Sequence, residues 1–196
     1  MENEVLKNIA SRRSCRVFAG EPVDRETLSR VIEAGTWAPS GHNNQTWTFV
    51  AVTSKEKLER LRVIFRDGMR DMELSPDDYI GMHDAKRAAR KDGYNCFYGA
   101  PCLVLLTNER GYVNSMADCS CAAENMLLAA ASLGLGSCWI NIPHWLDGYA
   151  PLRVYLAEEC GIGADREICL SVALGKPGGR AVPAPVRKSG TVFYID

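Results

Sequence analysis

Residues 12 to 18, Arg-Arg-Ser-Cys-Arg-Val-Phe, place three arginines and a serine within five positions. Guanidinium groups this close repel one another unless water or an anion neutralises them. Planar bidentate donors beside a hydroxyl suit a phosphate. A solvated basic turn would look the same in isolation, so the neighbouring stretches must decide. A second stretch, Trp37-Ala38-Pro39-Ser40-Gly41-His42-Asn43-Asn44-Gln45-Thr46-Trp47, is a loop of small and amide residues between tryptophans. Its amides carry both a donor and an acceptor. They can read the edge of a planar heterocycle, or cap the loop's own backbone.

The elements that position these residues follow from periodicity. Val5, Leu6, Ile9 and Ala10 lie at helical spacing, so a short helix over 2–10 delivers the arginine cluster at its end. Asp24 is an expected N-cap for a helix with Leu28, Val31 and Ile32 on one face, with Gly35 as its stop. The loop leads into a strand over Thr48–Val52. Thr53-Ser54-Lys55-Glu56 reads as a capping box for a helix burying Leu58, Leu61, Ile64 and Phe65. Residues 67–93 are charged and lose periodicity, an expected irregular or partly helical excursion over a pocket. Pro101–Thr107 reads as a buried strand. Ser115-Met116-Ala117-Asp118 is a second capping-type start, opening a helix that is apolar nearly all round and ends at Gly134-Leu135-Gly136. A strand over Ser137–Ile142, a helix stopped by Gly161 and a strand over Ile168–Leu174 complete the core. In the tail, 176–196, the apolar run Thr191–Ile195 follows a Pro/Gly-rich arm, a pattern that suggests docking on a partner's sheet edge.

Composition narrows the function. With 196 residues the chain forms one domain, 1–196, and Lys+Arg 23 against Asp+Glu 24 leaves a net charge of -1. No global field therefore favours nucleic acid or an anionic membrane, and the arginine cluster is a local feature suited to a small anion. Glu2 and Glu4 stand where a signal peptide needs a basic, then apolar, start, so a cytoplasmic protein is expected. Met126–Ile142, the most apolar region, is broken by Gly134 and Gly136 and is too short to span a membrane. The eight cysteines form no Cys-x-x-Cys pair, so no metal site is expected and reduced thiols are the default. Cys119 and Cys121, two apart on a helix, face different directions. Gly134-Leu135-Gly136-Ser137-Cys138-Trp139 lacks a third glycine and follows a helix, so it is no Rossmann fingerprint; Gly175-Lys176-Pro177-Gly178-Gly179 is no Walker loop.

Four stretches together carry a resemblance: Arg12–Phe18, Ala38–Trp47, Gly134–Ile140 and Leu174–Pro177. In order and spacing they resemble the nitroreductase family of FMN-dependent oxidoreductases, over nearly the whole chain. Thr46, where proline is usual, and Asn141, where glycine is common, depart from the pattern. The resemblance implies an α+β fold with a central mixed sheet flanked by helices. It also implies a homodimer whose C-terminal strands are exchanged, with FMN at the interface and NAD(P)H as co-substrate. Residue by residue, Arg12, Arg13 and Ser14 resemble the phosphate and ribityl contacts, and Arg16 the cation beside the flavin pyrimidine edge. Pro39, Ser40, Asn43 and Gln45 resemble contacts made by the partner chain to the ring. Ser137, Cys138, Trp139 and Ile140 resemble the segment passing its redox edge. Gly175 and Lys176 belong to the fourth motif, and Arg187 and Lys188 resemble the tail's phosphate contact.

The implied reaction is ping-pong hydride transfer from NAD(P)H through FMN to a nitroaromatic, quinone or similar electrophile. The flavin carries the difficult step, which accounts for a chain with no evident acid–base dyad and no Rossmann motif. A permanently charged Arg16 stabilises the negative charge of the reduced ring. The same scaffold supports dehalogenation, dehydrogenation or flavin fragmentation, and 67–93 is where such a difference would lie. A different class of function, a thiol-sensing or binding protein, would centre on Cys15, Cys119 and Cys121.

Overall fold

A computed structural model describes residues 3–180 and 182–195. Glu2, on which the signal-peptide argument partly rests, lies outside them. Asn3 caps α1 (Glu4–Ser11) by accepting hydrogen bonds from Val5 and Leu6, and the helix delivers Arg12 at its C-terminal end. Asp24 caps α2 (Arg25–Thr36) through the Thr27 amide at 2.8 Å, and Leu28 and Val31 are buried. Gly35 does not stop this helix. It lies inside it and is buried because Met126 and Phe49 close to within about 3 Å of where a Cβ would stand. Strand β1 (Thr48–Val52) follows, and then α3 (Lys55–Asp71), capped by Ser54 alone. Part of the charged excursion is therefore the end of α3, and α4 (Ile80–Ala88) orders much of the rest.

Strand β2 (Cys102–Glu109) is buried at all but its last residue, and α5 (Ser115–Ser132) packs across it. After β3 (Gly136–Ile140) come α6 (Ile142–Trp145), α7 (Ala150–Cys160) and β4 (Arg166–Gly175). Gly134 and Gly161 end α5 and α7 with φ of 74° and 67°, where a side chain would be strained. The sheet order is β1-β2-β4-β3 with every neighbour antiparallel; its parallel component is a single bridge between Ser14 and Ser137. Alternation along β2 divides the core. Cys102, Val104 and Leu106 face α2 and α5, whereas Leu103 and Leu105 face α3, α6 and α7. The architecture is helices, sheet, helices.

The segment after α1 is laid across the ends of β3 and β4. The Cys15 amide donates to Ser137 O at 2.8 Å, Ala19 N to Lys176 O at 3.0 Å, and Gly178 N to Val17 O at 2.8 Å. Glycines permit this approach. A Cβ on Gly136 would stand 2.7 Å from the Cys15 side chain, and one on Gly178 would stand 2.7 Å from the Phe18 backbone carbon. Backbone cannot yield as a side chain can. Gly178→Ala is therefore expected to destabilise the fold by about 1–3 kcal/mol. Gly179→Ala, whose Cβ would meet only the Val17 side chain at 3.3 Å, should be tolerated. Urea midpoints of the two variants check this.

The tail does not form the expected strand within the chain. Residues 182–195 are exposed, with Phe193, Tyr194 and Ile195 at least 84% accessible. Its apolar side chains meet no surface within one chain that would bury them.

Candidate functional site

The docked segment forms one wall of a cavity of about 540 Å³. Arg12, Arg13, Ser14 and Arg16 line it, together with Ser137, Ala131 at the end of α5, Gly134 and Leu135 just beyond it, and Arg180 from the tail. The arginine cluster is thus neither a free turn nor part of a helix. Arg13 Nη1 donates to Ala10 O and Arg12 O, both at 2.7 Å, and so closes the carbonyl end of α1. Its Nε is buried with no partner among the described residues. A buried unpaired donor costs about 1–3 kcal/mol unless a ligand accepts from it. The cavity therefore combines cationic side chains with serine hydroxyls, donors that suit an anion such as phosphate.

Arg16 is exposed at the cavity wall, and its guanidinium carbon lies 6.0 Å from the Tyr98 ring centroid. The neighbouring Tyr98 further favours its charged form.

The pleat decides which β3 residues can contribute. Ser137 lines the cavity and Trp139 packs on the α5 face. Cys138 and Ile140 are buried on the opposite face against α3, α6 and α7. Gly175 is buried beside Phe18 and Pro101. Lys176 is held by Glu21 at 2.6 Å, away from the cavity lining. Arg187 and Lys188 lie in the exposed tail and do not line it, whereas Arg180 does. Arg180 was legible only as a tail cation.

The amide loop is elsewhere. Pro39, Ser40, Asn43 and Gln45 are absent from the cavity wall. His42, Asn43 and Gln45 have φ between 51° and 57°, left-handed backbone that is uncommon for non-glycine residues. Three sets of contacts hold this conformation. Gln45 N donates to Ser40 Oγ at 3.1 Å and its side chain to Asn43 Oδ1 at 2.9 Å. Arg166 Nη2 donates to Thr46 O at 2.6 Å. The buried Asp118 carboxylate accepts from Gly41 N at 3.1 Å, and Tyr112 OH donates to Gly41 O. Asp118 therefore does not cap α5 as a sequence of that type suggests. Asn114 occupies the N-cap without a side-chain bond, and Ser115 Oγ donates to Glu109 O.

The loop is tied to α5 at Asp118 and the cavity borders α5 at Ala131. Thirteen residues separate these points, about 20 Å along the helix. One planar ring cannot touch both in the same chain.

Five of the eight thiols are buried. Cys119 is buried with its thiol directed to Thr107 O at 3.9 Å, and the neighbouring Cys169 and burial both raise its pKa. Burial pushes Cys96 and Cys102 to about 12. Cys121 is exposed on the other side of α5. Cys15 lines the cavity with its thiol directed to Val17 O at 3.1 Å. Among the described residues no group of three or more His, Cys, Asp or Glu could hold a metal ion, and no helix is long and apolar enough to cross a membrane.

A sheet between two helical layers, with a cationic cavity where a backbone segment crosses its strand ends, defines an α+β domain built to hold an anionic ligand. The chain belongs to the nitroreductase family, whose model matches residues 9–176. A nitroreductase with bound FMN from Bacteroides fragilis is 35% identical and superposes with a TM-score of 0.88, covering 100% of both chains. A 4-nitrobenzoate reductase from Pseudomonas putida is 30% identical over 159 residues, 66% of this chain and 69% of that one. A protein of Archaeoglobus fulgidus, whose name pairs NADH dehydrogenase with NAD(P)H nitroreductase, is 29% identical over 89% of this chain and 86% of its own.

Replacing Asp118 with alanine leaves the Gly41 amide without its carboxylate and the loop without one tether. A loss of about 1.5–3 kcal/mol in stability is expected. Faster amide exchange should be concentrated at Gly41–Gln45, which hydrogen-exchange measurements resolve.

Proposed function

We propose that the protein is an FMN-dependent NAD(P)H oxidoreductase, acting as a cytoplasmic homodimer on a nitroaromatic, quinone or similar electrophile. The observation that carries this reading is the cavity lined by Arg12, Arg13, Ser14 and Arg16. Arg12, Arg13 and Ser14 would hold the phosphate and ribityl chain, and Arg180 extends the same cationic wall. Arg16 presents a charge that no accessible pH removes, suited to the pyrimidine edge. Of the β3 segment assigned to the redox edge, Ser137 offers its side to the cavity, while Cys138 and Ile140 act by fixing the strand in the core. Gly175 and Lys176 hold the tail's departure, the glycine by close packing and the lysine through Glu21. Bound in the cavity, FMN supplies a carrier that takes a hydride from reduced nicotinamide and passes it to the acceptor.

Three features support the homodimer. The loop's anchor at Asp118 and the cavity's border at Ala131 are about 20 Å apart along α5, so Pro39, Ser40, Asn43 and Gln45 would complete the site of a second copy. Val5, Leu6 and Ile9 are 47–65% accessible, an apolar helix face with nothing upon it. The tail exposes Val192, Phe193, Tyr194 and Ile195 and would bring Arg187 and Lys188 to the partner's phosphate. The eight free cysteines suit a reducing compartment.

The purified protein should be yellow, elute as a dimer and hold one FMN per chain. NADPH or NADH should bleach it without oxygen, and 4-nitrobenzoate or a quinone should restore the colour. The double variant Arg12→Ala, Arg187→Ala removes two charge-assisted contacts and should weaken FMN binding at least tenfold. A colourless protein with no FMN uptake overturns the reading, and bound flavin inert to both nicotinamides redirects it to dehalogenation, dehydrogenation or flavin fragmentation.

A further inference from the structure

Tyr98 takes no part in lining the cavity, yet its backbone is held in an unusual state. Its φ is 59° and that of Gly99 is 69°, and Ala100 N donates to Phe97 O at 3.0 Å. Two successive left-handed residues inside such a bond make the turn that Asn-Gly favours; an aromatic side chain at the first of them is costly. Two buried neighbours fix the turn from below, Phe97 at 2% and Ala100 at 2% accessibility. Asn95 locks its entry, its side-chain oxygen accepting from Phe97 N at 3.0 Å and its carbonyl from Tyr98 N at 3.1 Å. The consequence of this geometry is that the Tyr98 ring stands 6.0 Å from the Arg16 guanidinium.

We infer that Tyr98 is a positioning residue: the strained turn holds its ring against Arg16 and so keeps the guanidinium at the cavity wall, where it favours the reduced, more negative form of the cofactor. This rests on the FMN reading above. Arg16 is otherwise exposed and free to disperse over many rotamers. The ring, 6.0 Å from the guanidinium carbon, narrows that spread. Tyr98 acts on the cofactor only through Arg16, so its effect must vanish when Arg16 is absent.

The test uses the full-length protein loaded with FMN and four forms: unmodified, Tyr98→Asn, Arg16→Ala and the double variant. Asparagine suits left-handed backbone, so Tyr98→Asn should unfold at an equal or higher urea concentration than the unmodified protein. Its affinity for oxidised FMN should change little. Its preference for reduced over oxidised FMN, read from the midpoint potential of bound against free flavin, should fall about two- to fivefold, the range for an exposed cation–π contact. In the Arg16→Ala background the same substitution should leave that preference unchanged. An unaltered preference in Tyr98→Asn overturns the inference, and so does an equal loss with Arg16 already removed. If the unmodified protein takes up no FMN, the cofactor reading and this inference fall together; if FMN binds and the cycle shows no coupling, only the role of Tyr98 falls.

Discussion

Main-chain contact between the segment Ser14–Ala19 and the ends of β3 and β4 is the constraint on which the site depends. Three hydrogen bonds between distant parts of the backbone fix it, and Gly136 and Gly178 clear the space. Free in solution, three arginines within five positions would spread apart and remain hydrated. Once docked, their main chain can no longer separate, and Arg12, Arg13 and Arg16 share one cavity wall. Part of their mutual repulsion is relieved internally, since Arg13 turns to the carbonyls at the end of α1. The remainder makes the cavity attractive to an anion.

Helix α5 sets the scale of the assembly. Its apolar surface is covered by the sheet on one side and α2 on the other, which makes it a rigid strut through the domain. The amide loop is fastened at Asp118 near its start and the cationic cavity opens near its end. A strut of that length keeps the loop and the cavity apart in one chain, as the proposed dimer requires if each is to meet a second copy. The unpaired apolar face of α1 and the exposed tail are what a lone chain would show if its remaining burial came from such a partner.

The loop and the Tyr98 turn share a physical strategy. Both hold non-glycine residues in left-handed backbone, and both are overdetermined by buried neighbours and side-chain bonds. Such conformations persist only where the surroundings outweigh their cost, and they restrict how far a side chain can wander. Chemistry that belongs to a cofactor asks the protein for position and fixed charge more than for proton transfer.

Much of this was legible in the chain itself. Periodicity located the helices and strands, because burial of one face imposes spacings of 3.6 or 2 on local sequence. The clustered arginines announced an anion site, and four motifs in register announced the family. What the sequence could not decide was where each side chain is spent. Lys176 is engaged by Glu21, 155 positions away, and Asp118 leaves its expected capping role for Gly41, 77 positions away. Cys138 and Ile140 belong to a cavity-forming strand yet face the opposite core, because pairing with β4 fixes which side of the pleat each residue takes. Local propensity fixes the elements. Their partners, being remote along the chain, are chosen only when strands pair and helices pack.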